Sequence, residues 1–281
     1  MDILVSTGWL AENLGTVTVL DASKHLPAAG RDARAEFAQG HIPGARFLDL
    51  ATLQDETSPV PAAVPRAGQF AERLAALGIE DGSRVVLYDD SALRSAARAW
   101  FVFRLFGWSD VAILDGGLAR WRAEGRALET GDAPPARAPQ GPAPRPDPAR
   151  IRTKAEMLAN LRERREQVVD ARDAARFTGE AEDAVHGLPG GHIPGARHLH
   201  YRALLNDDGT FKSANELRAA FAAAGIDLDR PVTTTCGSGV TAAVVLFALE
   251  LLGKADIALY DGSWSEWGAD PDTPKEAGAV A

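Results

Sequence analysis

Cys236 is the one cysteine in 281 residues, and it stands in the run Thr233-Thr234-Thr235-Cys236-Gly237-Ser238-Gly239-Val240-Thr241. A single thiol makes no internal disulfide and no multi-cysteine metal site, which leaves inert packing or a lone nucleophile. Free cysteine at a strand end is often plain core. The neighbouring residues favour the nucleophile. Residues 231–235 are β-branched after the leading proline, as in a short buried strand. Residues 242–252 are apolar nearly throughout and stop at Gly253, as in a buried helix. The two glycines between them let the backbone curl and turn N–H groups toward one point. A sulfur at the base of such a loop, facing a helix N-terminus, is expected to be held as thiolate by N–H groups and the helix dipole.

The elements that must position this loop come from an internal duplication. Gly40-His41-Ile42-Pro43-Gly44-Ala45-Arg46 recurs identically as Gly191-His192-Ile193-Pro194-Gly195-Ala196-Arg197. Val19-Leu20-Asp21-Ala22 matches Val168-Val169-Asp170-Ala171, and Leu114-Asp115-Gly116-Gly117 matches Tyr260-Asp261-Gly262-Ser263. The offset stays between 146 and 151 residues, so order and spacing are shared. Residues 17–21, 84–88 and 111–114 read as strands, and 67–77 and 95–106 as helices. In the second copy 167–170, 232–236 and 257–260 read as strands, and 214–224 and 241–252 as helices. Alternation of this kind predicts an α/β fold: two tandem domains, each a mainly parallel sheet flanked by helices. The expected division is 1–128 and 150–281, joined by a proline-rich linker at 129–149 that lies on the surface of both copies. Sites in such sheets form beyond the carboxyl ends of strands, where Cys236 sits. At the corresponding place the first copy has Tyr88-Asp89-Asp90-Ser91, with no thiol and no glycine pair to aim N–H groups inward. One active copy and one scaffolding copy are expected.

Composition narrows the function classes. A net charge of −9 argues against nucleic acid, which needs a basic face. No apolar run approaches a membrane span, and Met1–Ser6 lacks the pattern of an export signal. One cysteine without an export signal points to a reducing cytoplasm. A monomer is expected, because the duplication supplies an internal partner.

Taken together, the paired Gly-His-Ile-Pro-Gly-Ala-Arg segments, Asp170-Ala171-Arg172, the Cys236–Thr241 loop and Tyr260-Asp261-Gly262-Ser263-Trp264-Ser265-Glu266-Trp267 resemble the two-domain rhodanese sulfurtransferases over essentially the whole chain. The resemblance implies a silent first rhodanese-like domain, commonly with an aspartate at the cysteine position, as Asp89 is here. It further implies a sulfurtransferase whose cysteine takes a sulfane sulfur from a small anionic donor and holds it as a persulfide. The acceptor is then a thiophile: cyanide, a thiol, or a protein thiol such as thioredoxin. The N–H groups of Gly237, Ser238, Gly239, Val240 and Thr241 would cradle both the thiolate and the persulfide, with no metal or organic cofactor. The loop is similar to that of the 3-mercaptopyruvate type rather than the thiosulfate type, which usually has basic residues after the cysteine. Arg176 falls where the family sets an arginine against the donor's anionic group, a role its bidentate fork suits; a surface ion pair is the alternative.

There are departures from the family pattern. A second arginine before the Gly-His-Ile segment is absent, the chain reading Glu182-Asp183-Ala184-Val185-His186. A histidine often found after the first-domain Thr-Ser-Pro is absent from Thr57-Ser58-Pro59-Val60-Pro61-Ala62. His186 reads as a solvated loop residue or as a substitute for part of the clamp. His41 and His192 recur in both copies and read as structural. His198-x-His200 makes a poor metal site without further ligands. Trp264 and Trp267 read as flanking the entrance to Cys236, or as packing across a domain interface. Two rival functions remain. A cysteine phosphatase would need an arginine inside the loop, and none is there. A non-catalytic sulfur carrier would accept sulfur but not turn over.

Overall fold

A computed structural model describes residues 1–133, 136–139 and 144–278. Each copy of the repeat builds a five-stranded sheet, and every ladder between the named strands is parallel. In the first copy β1 (Leu4–Val5), β2 (Thr18–Asp21), β3 (Arg46–Phe47), β4 (Val85–Tyr88) and β5 (Val111–Leu114) lie in the order β1-β5-β4-β2-β3. The helices between them are α1 (Thr7–Asn13), α2 (Ala33–Gln39), α3 (Ala67–Ala76), α4 (Ala96–Leu105) and α5 (Gly117–Ala123). In the second copy β6 (Ile151–Arg152), β7 (Gln167–Asp170), β8 (Arg197–His198), β9 (Val232–Thr235) and β10 (Ile257–Tyr260) repeat that order as β6-β10-β9-β7-β8. Its helices are α6 (Lys154–Glu163), α7 (Ala174–Thr178), α8 (Ala214–Ala223), α9 (Ala242–Leu251) and α10 (Ser263–Trp267).

The central strands explain this architecture. All four residues of β4, β5, β9 and β10 are buried, as a parallel sheet covered on both faces requires. β9 does this with three threonines, whose hydroxyls need partners once water is gone. Thr233 Oγ1 donates to Glu166, and Thr234 Oγ1 lies 3.5 Å from the Ala258 carbonyl. α9 is buried from Ala242 to Leu249, so it packs as a core helix rather than an amphipathic one.

By compactness the first unit is Met1–Asp55, Val64–Asp147 and Asp207–Phe211, and the second is Glu56–Ala63, Pro148–Asn206 and Lys212–Ala281. The described part of the proline-rich stretch up to Asp147 belongs to the first unit: Ala138 is buried and bonds Ala75, and the Asp147 N–H donates to Leu105. Pro134, Pro135 and Pro142 of that stretch lie outside the described residues. Within the described residues, no helix is long and apolar enough to cross a membrane.

The repeated histidines do the same work in both copies. His41 Nδ1 donates to the Phe37 carbonyl at 2.8 Å and stacks on the Phe37 ring, while His192 does so with Phe177 at 2.8 Å. Each also bridges through its backbone to a glutamate, Glu129 or Glu276. They anchor turns.

The end of β2 differs from the end of β7 in one respect that affects stability. Asp170 is paired with Arg172, but Asp21 has Ser23 in that place. Burial pushes the Asp21 carboxyl up to about 6, against hydrogen bonds from Ser23 and Tyr88, and nearby Asp89 adds to the rise. An acid raised in the fold contributes stability below its unfolded value of 3.8 and loses it as pH rises through about 6. Asp21→Asn is therefore expected to stabilise the protein by about 3 kcal/mol at pH 8 and by little at pH 4. Urea unfolding of both proteins at the two pH values checks this; equal stabilities at pH 8 would contradict it.

Candidate active site

The site is built at the carboxyl end of β9. Cys236 is buried, 2% exposed, and its Sγ accepts a hydrogen bond from the Gly239 N–H at 3.1 Å. Gly239 has a φ of +78°, left-handed backbone that lets the loop turn its N–H back onto the sulfur. Two loop carbonyls are committed elsewhere: Cys236 O accepts from the Trp264 N–H at 2.9 Å, and Gly237 O from the Ser265 N–H at 2.9 Å. With these turned to α10, the loop offers N–H rather than C=O to the sulfur. α9 then begins at Ala242 after Thr241, which makes no side-chain cap, whereas Thr153 and Ser213 cap α6 and α8. The positive end of a buried helix is thus left to the loop. Ser238 and Thr241 are half-buried, while Gly237, Gly239 and Val240 are buried.

Gly237 serves for a different reason than a tight turn. A Cβ there would sit 2.3 Å from His186 Cε1, so the glycine makes room for an imidazole beside Cys236's neighbour in the chain. His186 is held in place by Asp183, its Nδ1–H donating to Oδ1 at 2.9 Å. Asp183 is fully buried and also receives Arg176 Nη1 at 3.4 Å, with Arg172 Nη1 3.6 Å from its other oxygen. Burial would raise its carboxyl, but the His186 hydrogen bond, with the Arg176 and Arg172 charges, holds it below the usual carboxylate range. His186 is thus not the solvated loop residue expected: its side chain is 16% exposed and bonded. Val185 beside it is exposed.

Arg172 is the centre of the buried charges. It is 1% exposed, donates through Nε and Nη2 to Asp170 and through Nη2 to the Gly191 carbonyl at 2.6 Å, and lies 4.6 Å over the Trp264 ring. Arg176 joins the same cluster at its rim. Its Nε donates to Asp173 at 2.6 Å and its Nη1 to Asp183, and its side chain is 25% exposed. The structure therefore brings Arg176 toward the Cys236 loop by way of Asp183 and His186.

Ser263 completes the support. It is a non-glycine residue at φ 50°, fully buried, with Oγ donating to the Tyr260 carbonyl at 2.9 Å and accepting from the Cys236 N–H at 3.3 Å. Backbone held there costs about 1–3 kcal/mol, which marks a constrained position. The first copy has Gly117 in its place at φ 58°, where a Cβ would lie 2.3 Å from the Asp89 carbonyl oxygen. That glycine-to-serine change within the repeat was a visible signal for Ser263. Trp264 and Trp267 do not flank an entrance. Both are buried in the second unit's core with Met157, Phe177, Ile193 and Tyr260, and the Trp264 indole donates to Pro189. His198 spends Nε2 on the Arg172 carbonyl at 2.8 Å.

The first copy departs from the expectation that, without a glycine pair, its loop aims no N–H groups inward. Asp89 Oδ1 accepts from the Ser91 N–H at 2.9 Å and its Oδ2 from the Ala96 N–H at 2.8 Å, at the start of α4. N–H groups do aim inward there without a glycine pair, onto the chain's own carboxylate. Burial raises the Asp89 carboxyl against those bonds. Where the second copy has a sulfur, the first has its own carboxyl filling the cradle.

Residues 6–124 and 153–270 each match the rhodanese-like domain family. The 3-mercaptopyruvate sulfurtransferase of Homo sapiens is 43% identical over 272 residues, covering 94% of this chain and 91% of that one. The thiosulfate sulfurtransferase of Cricetulus griseus is 40% identical over 290 residues, covering 96% and 94%. The crystal structure of SseA from Escherichia coli superposes with a TM-score of 0.83 at 38% identity, covering 94% of this chain and 99% of that one.

Proposed function

The chain belongs to the rhodanese-like family and is a sulfurtransferase, and from that membership we propose that it moves a sulfane sulfur from 3-mercaptopyruvate to a thiophilic acceptor through a persulfide on Cys236. The observation that carries this reading is the Gly239 N–H on Cys236 Sγ, in a loop that faces an uncapped helix start and that the first copy fills with Asp89. In the first half-reaction Cys236 attacks the donor's sulfur, an S–S bond forms, and pyruvate leaves. In the second, cyanide or a thiol attacks the outer sulfur and Cys236 returns as thiolate. Both resting and loaded forms carry negative charge at the same place, so N–H groups of Gly237, Ser238, Gly239, Val240 and Thr241 serve both. The catalytic domain is proposed to span 150–281 and the silent one 1–128. Thioredoxin-like proteins are proposed as acceptors, and the cytoplasm as the compartment, which suits a lone reactive thiol. The working form is proposed to be a monomer.

Donor choice follows from charge. No lysine or arginine follows Cys236 within the loop, and Arg176 is partly neutralised by Asp173 and Asp183, so a monoanion suits the site better than a dianion. Comparing kcat/KM for 3-mercaptopyruvate and thiosulfate, each with cyanide, tests this. A higher value for thiosulfate would turn the reading to the thiosulfate type.

Arg176 is the proposed anchor for the donor's carboxylate. A charge-assisted hydrogen bond is worth roughly 1.5–3 kcal/mol, so Arg176→Ala is expected to raise the donor KM about 10- to 100-fold while kcat changes less. An unchanged KM would leave Arg176 as a partner of Asp173 and Asp183 only.

A further inference from the structure

We propose that His186 is the acid–base residue of the donor half-reaction, carrying a proton from the donor's sulfur to the carbon that the sulfur leaves; this rests on the persulfide reading above. The chemistry requires such a group. When Cys236 attacks the sulfur of 3-mercaptopyruvate, the S–S bond forms, the C–S bond breaks, and its electron pair goes to the methylene carbon as the enolate of pyruvate. The thiol's proton leaves the sulfur, which becomes the anionic end of the persulfide, and that carbon takes up one proton to become a methyl group. Charge and hydrogen balance with a single proton moved. The mover must be a base when the thiol arrives and an acid when the enolate departs.

Among the side chains of this cluster, His186 alone meets that description. Arg172 and Arg176 stay protonated and cannot serve as bases. Asp183 is fully buried and already receives His186 and Arg176. His198 has its Nε2 on the Arg172 carbonyl, and His200 follows β8, which is separated from β9 by β7. His186 donates a hydrogen bond from Nδ1–H to Asp183, so in the neutral ring the lone pair is on Nε2, on a half-buried side chain. The ring lies against Gly237, the residue after the nucleophile: a methyl at 237 would stand 2.3 Å from Cε1 and 3.2 Å from Nε2. A buried carboxylate behind the imidazole steadies the imidazolium formed between the two transfers, and fixes the tautomer. The charged group bonded to this imidazole is Asp183 from its own turn, which in turn holds Arg172 and Arg176 from the chain after β7, and the ring's neighbour in the loop after β9 is Gly237.

The test exploits a donor that needs no proton. Thiosulfate loses sulfite as an anion, so no carbon has to be protonated. Rapid-quench mass spectrometry of the whole protein gives the rate of persulfide formation from each donor, in the unaltered enzyme and in His186→Gln, whose amide can still reach Asp183. The ratio of the mercaptopyruvate rate to the thiosulfate rate is expected to fall about 10²- to 10⁴-fold in the variant. The mercaptopyruvate rate should also lose the pH dependence contributed by the imidazole. An unchanged ratio, whether both rates fall together or neither falls, overturns the proposal and leaves His186 as a support for the loop. His186→Asn gives a second reading of the same ratio should the glutamine variant fold poorly. Failure of the unaltered enzyme to gain sulfur from either donor would instead sink the persulfide reading.

Discussion

Cys236→Ser is expected to abolish sulfur transfer, with turnover reduced by about 10⁴-fold or more. Serine fills the same space and keeps a hydrogen-bond acceptor for the Gly239 N–H, so the loop should survive. What it loses is the chemistry: a hydroxyl is not ionised near neutral pH, and oxygen does not form the exchangeable S–S bond on which the two-step cycle depends. The contrasting variant is Asp89→Asn. That residue occupies the matching position in the first copy, where its oxygens accept from Ser91 and Ala96. Asparagine keeps one acceptor oxygen there and leaves the Cys236 loop's own residues unchanged, so turnover within about twofold of the unaltered enzyme is expected. Steady-state thiocyanate formation measures both. Turnover above about one per cent in the cysteine variant would contradict the assignment of the nucleophile.

Arg172→Met should be the most destabilising single change in the second unit. Arg172 is 1% exposed, Asp170 is 1% exposed and Asp183 is fully buried, so removing the guanidinium leaves two carboxylates short of their cation. Breaking one partner out of a buried charge cluster costs about 3–5 kcal/mol, more than the whole pair contributes relative to apolar residues. Two further contacts go with it, the hydrogen bond to Gly191 and the stacking over Trp264. The flexible, polarisable thioether of methionine can keep part of the ring contact, so the loss should track the charges. Urea unfolding followed by tryptophan fluorescence measures it; because the chain has two compact units, the transition of the second must be resolved from the first. A loss below about 1 kcal/mol would mean that water reaches Asp183 after all. Activity should fall as well, because Asp183 orients His186.

The α/β class and its duplication were legible because both signals are local. β-branched runs such as 232–235 and apolar runs such as 242–252 announce themselves in a few residues, and they fold as β9 and α9. The two-residue strands β1, β3, β6 and β8 were not, since two residues carry no periodicity. α6 went unread although Thr153 and Glu156 spell out a capping box before it. At the site, Cys236 and its glycines stood out by residue type. The reason for Gly237 did not, because a glycine that makes room for a distant side chain resembles one that turns the chain. Asp183 was hidden for a similar reason. Its burial comes from a turn closed by Asp183–Leu188 backbone bonds and from the earlier arginines Arg172 and Arg176, a geometry no linear spacing displays. His186 looked solvated on the same grounds. Ser263 was marked in the repeat by its departure from Gly117, a difference whose meaning depends on the left-handed backbone beneath it.

The proposed transfer requires a persulfide on Cys236, and the protein's mass reports it directly. Mass spectrometry after brief exposure to 3-mercaptopyruvate should show the gain of one sulfur atom on the peptide bearing Cys236, its loss on adding cyanide, and no gain in Cys236→Ser. Sustained thiocyanate production with no sulfur ever carried on Cys236 would contradict it.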